Sequence, residues 1–228
     1  MQKPLVLLPA YSHLDWRLAD CLRRTGLPCI QVFGCSDLVQ ARSRLLCDAM
    51  QTEAETFLFI DADMVVTPDN IFQLLESPKL SERSAVTGAY ITANGELAGV
   101  PLDVTQQVSF GGEPRFVQMA LAGLGFAAIR RSSIEALERV TPPVRSKADE
   151  IWRPYFLPFV IQHELPNGEE MREYLADDYS FWWRVRTMAE TSLWLDTSLR
   201  VGHVKTSVLT PGDVLFRGID LSGEARSP

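Results

Sequence analysis

Two carboxylates, Asp61 and Asp63, stand two positions apart in Asp61-Ala62-Asp63. In an extended or turning segment that spacing lets both face the same way, and paired oxygen donors suit a hard divalent cation. The apolar residues Phe57-Leu58-Phe59-Ile60 directly precede them. The pair therefore emerges at the carboxyl end of a buried strand, where open α/β sheets bind their ligands. A helix cap or a solvated turn is the bland alternative for so short a motif. A second acidic pair, Asp177-Asp178, opens a segment with helical spacing. Asp178 lies three and four residues before Phe181 and Trp182, on the inward face, whereas Asp177 is better placed to cap that helix. A positioned carboxylate can accept the proton of an attacking hydroxyl, and a helix amino terminus favours its ionised form.

These residues need elements to hold them. Apolar runs at 5–8, 29–33 and 57–60 read as buried strands, the first ended by Pro9. Helical periodicity fills the gaps at 14–25 and 37–53. Strand and helix alternating in this way predict βαβ units and an α/β fold with helices on both faces of the sheet. Thr67-Pro68 then supplies a cap and a first-turn proline for a helix to about residue 76. A strand follows at 84–87, and 88–114 reads as hairpins or loops. Residues 116–130 read as strands around Gly123-Leu124-Gly125, and 132–140 as a helix. The aromatic and proline-rich stretch 141–170 reads as a site loop or a core hairpin. A helix at 177–190, strands at 193–196 and 201–204, and a loosely held tail from 211 complete the chain.

The chain has 228 residues, 46% of them hydrophobic, and a net charge of −7. That composition suits one compact domain and excludes a general polyanion binder. No apolar run reaches the ~20 residues of a membrane span, and no secretory leader is legible, so a cytoplasmic protein is expected. Cys21, Cys29, Cys35 and Cys47 lack the two-residue spacing of zinc or redox sites and read as small core filler.

Five segments in order resemble the signatures of family 2-like glycosyltransferases of the GT-A fold. They are Ala41-Arg42-Ser43-Arg44-Leu45-Leu46, Phe59-Ile60-Asp61-Ala62-Asp63-Met64, Gly123-Leu124-Gly125-Phe126 with Ile129-Arg130-Arg131, Asp177-Asp178-Tyr179-Ser180-Phe181, and Trp194-Leu195-Asp196 with Val201-Gly202-His203. The resemblance spans roughly residues 4–206. It implies a Rossmann-like, mostly parallel mixed sheet in a single domain, with a nucleotide-binding half at 1–110, an acceptor and catalytic half at 111–206 and a tail at 207–228. It implies a UDP- or GDP-sugar donor, an acceptor hydroxyl and a Mn²⁺ or Mg²⁺ ion. Asp63 would contact the ion most directly, Asp61 the ion or the ribose, and His203 would complete its protein ligands, a mixed oxygen and nitrogen set that suits Mn²⁺ well. Pro9, Ala10 and Tyr11, with Ser36 and Asp37, would line base and ribose beside Ala62. Arg42 or Arg44 would meet base or diphosphate; two positions apart on a helix, they cannot both point into the site. Asp178 would be the base of an inverting transfer, with Asp177 as the neighbouring candidate because the family usually carries Glu-Asp here. Trp152, Tyr155, Trp182 and Trp183 would stack on an acceptor sugar or pack in the core.

Two other classes compete. Asp61 would be the nucleophile of a haloacid dehalogenase-like phosphatase, although two βα units precede it here and His203 would have no role. A non-catalytic relative would bind the nucleotide sugar without turnover. Sugar nucleotidyltransferases open on a glycine-rich phosphate loop, and residues 9–17 contain no glycine.

Overall fold

The computed structural model describes residues 3–92, 95–111, 113–145, 149–164 and 168–204. Its elements in chain order are β1 (Pro4–Ala10), α1 (Trp16–Thr25), β2 (Cys29–Phe33), α2 (Leu38–Met50), β3 (Thr56–Ile60), β4 (Met64–Val65), α3 (Pro68–Leu75), β5 (Ser84–Ala89) and β6 (Gly99–Pro101). There follow β7 (Phe116–Ala122), β8 (Phe126–Arg130), α4 (Arg131–Glu138), β9 (Val144–Arg145), β10 (Ile151–Trp152), β11 (Phe159–Glu164), β12 (Glu170–Leu175), α5 (Asp177–Thr187), β13 (Ser192–Arg200) and β14 (Gly202–His203). The tail read as loosely held lies outside the described residues. Among the described residues no helix is long and apolar enough to cross a membrane.

Eight strands form one sheet in the order β2-β1-β3-β8-β5-β13-β7-β6. Only β7 and β8 run against the other six, so the sheet is mixed and mostly parallel, in a single α/β domain consistent with a GT-A-like, Rossmann-like fold. Alternate side chains of each strand serve opposite faces. Leu5, Leu7, Phe57 and Phe59 meet α2, α4 and α5 in one core, while Val6, Leu8, Leu58 and Ile60 meet α1 and α3 in the other. Phe59 is wedged edge-on against the stacked rings of Phe156 and Phe181, which fixes α5 against the strand that carries Asp61.

Local chemistry sets the helix ends. The side chains of Asp15 and Asp37 accept the amides of Arg17 and Gln40 at 2.9 and 3.1 Å, and Thr67 with Asn70 closes a capping box on α3. Gly26, at φ 65°, ends α1 in the left-handed region.

Several expectations are corrected. Pro9 does not end β1; it pairs in register with Val32 of β2, beyond the last residue that β3 pairs, where a missing amide leaves no ladder bond unmade. The strands expected around Gly123-Leu124-Gly125 are present as β7 and β8, with β5 and β13 lying between them in the sheet. The glycines make room for Tyr90: a methyl group on Gly123 would sit 2.0 Å from the Tyr90 hydroxyl, which accepts the Gly125 amide at 3.0 Å. Tyr155 and Trp182 are wholly buried and serve the core. Of the cysteines only Cys21 is buried; the others are half-buried.

The Gly123 contact predicts a coupling. Gly123→Ala lowers stability by about 1–3 kcal/mol through overpacking, and the loss is smaller in a Tyr90→Phe background. Equal losses in both backgrounds, measured by urea unfolding, would show that Tyr90 is not what the glycine accommodates.

Candidate active site

A pocket of about 730 Å³ opens at the carboxyl ends of β1, β3 and β5. Short pairing builds one of its walls. The antiparallel pair β4 and β14 sets His203 opposite Met64, and the Val204 amide donates to the Asp63 carbonyl at 2.8 Å. Asp63 Oδ2 consequently faces His203 Nε2 at 3.1 Å, while His203 Nδ1 lies 3.2 Å from the Ile91 carbonyl. With its hydrogen on Nδ1, donated to that carbonyl as in a metal-ligating histidine, the ring turns its Nε2 lone pair toward the Asp63 carboxylate. Two lone pairs at that separation need a proton or a cation between them. With bonds of about 2.1 Å, adjacent ligands of one octahedral ion lie about 3 Å apart, so the pair has the spacing of two cis ligands.

Asp61 is held differently. Arg42, only 3% exposed, donates through Nη2 to both Asp61 oxygens at 2.8 and 2.9 Å and through Nη1 to Asp177 Oδ2. The geometry bears on three expectations. Arg42, and not Arg44, points to the site; Arg44 pairs with Glu150 elsewhere. Asp177 does not cap α5, whose N-cap residue is Ala176 with no side-chain bond, because its carboxylate is drawn to the guanidinium. Asp61, Asp63 and His203 do not form a cluster of three, and no such cluster of candidate ligands occurs among the described residues.

Asp178 lines the pocket. Burial pushes its carboxyl up to about 6, against the pull of the Arg42 guanidinium. Tyr90 forms the neighbouring wall, packs edge-on against the His203 ring at 5.4 Å, and has its phenol pushed up by burial.

Of the expected residues, Pro9, Tyr11, Asp61, Ala62, Asp63, Asp178 and His203 line this pocket. Ala10 is buried instead, and Ser36 is exposed outside the lining, with Asp37 given over to capping. Trp152 and Trp183 also lie outside the lining, Trp183 packing edge-on against Phe159. Sequence reasoning missed Ser12, His13, Asp15, Leu38, Tyr90, Thr92 and Tyr179. The signal for His13 was its place three residues past the end of β1, and for Tyr90 the glycines that accommodate it.

No protein-family model matches the chain, and no curated protein matches its sequence. Solved structures do. A197 from STIV aligns with a TM-score of 0.57 at 15% identity, over 90% of this chain and 87% of that one. The fold is shared. GalNAc-T7 with UDP, GalNAc and Mn²⁺ aligns with a TM-score of 0.49 at 11% identity, over 90% of this chain and 44% of that one. A CMP:2-keto-3-deoxy-manno-octonic acid synthetase complexed with CTP gives 0.38 at 12% identity, over 94% and 96%. At these scores neither of the latter two alignments bears on function.

The raised Asp178 carboxyl has a pH signature. Its folded value lies above that of an unfolded aspartate, about 3.9, so the folded chain keeps the proton longer. Stability from this group is complete below pH 4 and is lost as the pH rises through about 6. Asp178→Asn removes the buried charge and raises the unfolding free energy at pH 7.5 by about 1–2 kcal/mol, with little gain at pH 4. Urea unfolding at the two pH values checks this; a gain independent of pH would contradict it.

Proposed function

We propose that this protein is a divalent-cation-dependent glycosyltransferase, carrying a sugar from a UDP- or GDP-sugar to an acceptor hydroxyl. One observation carries the reading: four aspartates and no lysine or arginine are among the described lining residues, with Asp63 and His203 paired on one wall and Asp178 in the same pocket. A nucleoside diphosphate is repelled by such a lining unless a cation accompanies it. Asp63 and His203 suit that cation, and their oxygen and nitrogen donors favour Mn²⁺ at least as well as Mg²⁺. When bound, the ion neutralises charge growing on the departing diphosphate.

The chain's own residues do the rest. Ile91 fixes the His203 ring by accepting its Nδ1 proton. Tyr11 and Leu38 offer apolar surface at the β1 side of the pocket for the nucleoside. Asp178, ionised above about pH 6, takes the acceptor proton as the acceptor oxygen bonds to the anomeric carbon. The bond from that carbon to the diphosphate oxygen breaks, and the diphosphate leaves with the electron pair. Attack from the Asp178 side, opposite the leaving group, inverts the anomeric centre. A phosphatase reading finds less support, because both oxygens of Asp61, its required nucleophile, accept from Arg42.

Thermal melting with UDP, GDP, CDP and dTDP, each with and without Mn²⁺, tests the reading. One nucleotide with Mn²⁺ raises Tm by several degrees at about 100 times its Kd, neither does so alone, and Asp63→Ala abolishes the shift. Asp178→Asn keeps the shift and loses transfer by about 10²- to 10⁴-fold. Binding that survives Asp178→Asn together with undiminished biological function would favour a non-catalytic sugar-nucleotide binder. Stabilisation by metal with beryllium fluoride, and by no nucleotide, would favour the phosphatase.

A further inference from the structure

Arg42 lies outside the pocket lining, yet it touches two of the acidic residues around it. It reaches from α2 to the end of β3, through Asp61, and to the first residue of α5, through Asp177. These partners are 19 and 135 residues away along the chain. Its side chain is 4% exposed, so the contacts form where water screens charge poorly. A rigid planar fork holds both partners at fixed angles, which a flexible ammonium would not do.

The consequence concerns which carboxylate does what. Both Asp61 oxygens are engaged by one guanidinium nitrogen, whereas Asp63 turns an oxygen toward His203. Asp177 is engaged by the other nitrogen, whereas its neighbour Asp178, among the described residues, accepts a backbone amide, that of Tyr179 at 2.9 Å, and lines the pocket. In each acidic pair Arg42 engages one member, Asp61 or Asp177, while Asp63 faces His203 and Asp178 lines the pocket. We propose that Arg42 is a positioning residue that divides the labour within both pairs, reserving Asp63 for the cation and Asp178 for the acceptor. This rests on the glycosyltransferase reading above. Asp61 then orients Arg42 and is not itself a cation ligand.

Calorimetric titration of Mn²⁺ into the protein saturated with UDP or GDP, whichever shifts the melt, tests the assignment without turnover. Asp63→Asn weakens Mn²⁺ binding by about tenfold or more, whereas Asp61→Asn changes it by less than about threefold. Arg42→Gln frees Asp61 and leaves Mn²⁺ affinity equal or higher, while kcat falls by about 100-fold with little change in donor KM. Arg42→Lys restores melting temperature more fully than kcat, because it returns the charge and not the fork. Where Arg42→Gln does not fold, Arg42→Gln/Asp177→Asn, which removes an orphaned carboxylate with its cation, carries the same expectations. Equal losses of Mn²⁺ affinity in Asp61→Asn and Asp63→Asn would overturn the role given to Arg42 and leave the function standing. Wild-type protein that binds no nucleotide with Mn²⁺ overturns both.

Discussion

A guanidinium sealed from water is costly to the fold without acidic partners, and the partners of Arg42 come from segments that no local interaction would bring together. Asp61 ends a strand, Asp177 begins a helix, and Arg42 stands on the helix packed beneath both. Mutual dependence follows, since an unpartnered member of a buried ionic set is costly to the fold. The geometry of the pocket is thus tied to the same contacts that keep three elements in register. Asp178 is raised to about 6 by burial and restrained from rising further by that same guanidinium. One side chain therefore sets both the shape and the electrostatics of the acidic wall.

The apolar framework beneath is less specialised. Alternation along β1 and β3 sends Leu7 and Phe59 to one face and Leu8 and Ile60 to the other, which allows helices to cover both sides. The pocket lies where the strands run out of that cover. Tyr90 joins the two regimes: its ring is packed in the core with Phe126 and Met64, and its hydroxyl caps the Gly125 amide at the pocket wall. The glycines at 123 and 125 leave room for this ring.

The first half of the fold was legible because its signals are local. Strands β1, β2 and β3 are short apolar runs, and Asp15, Asp37 and Thr67 announce helices within three residues of themselves. Asp61, Asp63, Asp178 and His203 could be picked out by type and order, and the fold puts all four on one pocket. What escaped depends on contacts across long stretches of chain. Cap statistics assigned Asp177 to its helix, but an arginine 135 residues away claims it. The partners of β7 and β8 could not be guessed from the turn between them, because strand neighbours are chosen by the whole sheet. Helical spacing showed that Arg42 and Arg44 diverge but not which turns inward, since that depends on where β3 ends.

The strand order also bears on how the chain reaches this state. β5 has β8 on one side and β13 on the other, and both are made later than β5 itself. While the chain emerges from the ribosome, β1, β2 and β3 can zip together, but β5 waits for β8 on one side and, for about a hundred residues, for Ser192–Arg200 on the other. The pocket wall that follows β5 waits with it. Assembly of the sheet and assembly of the site are thereby one late event, and a truncated chain holding only the early strands would expose an uncapped, aggregation-prone edge at β3.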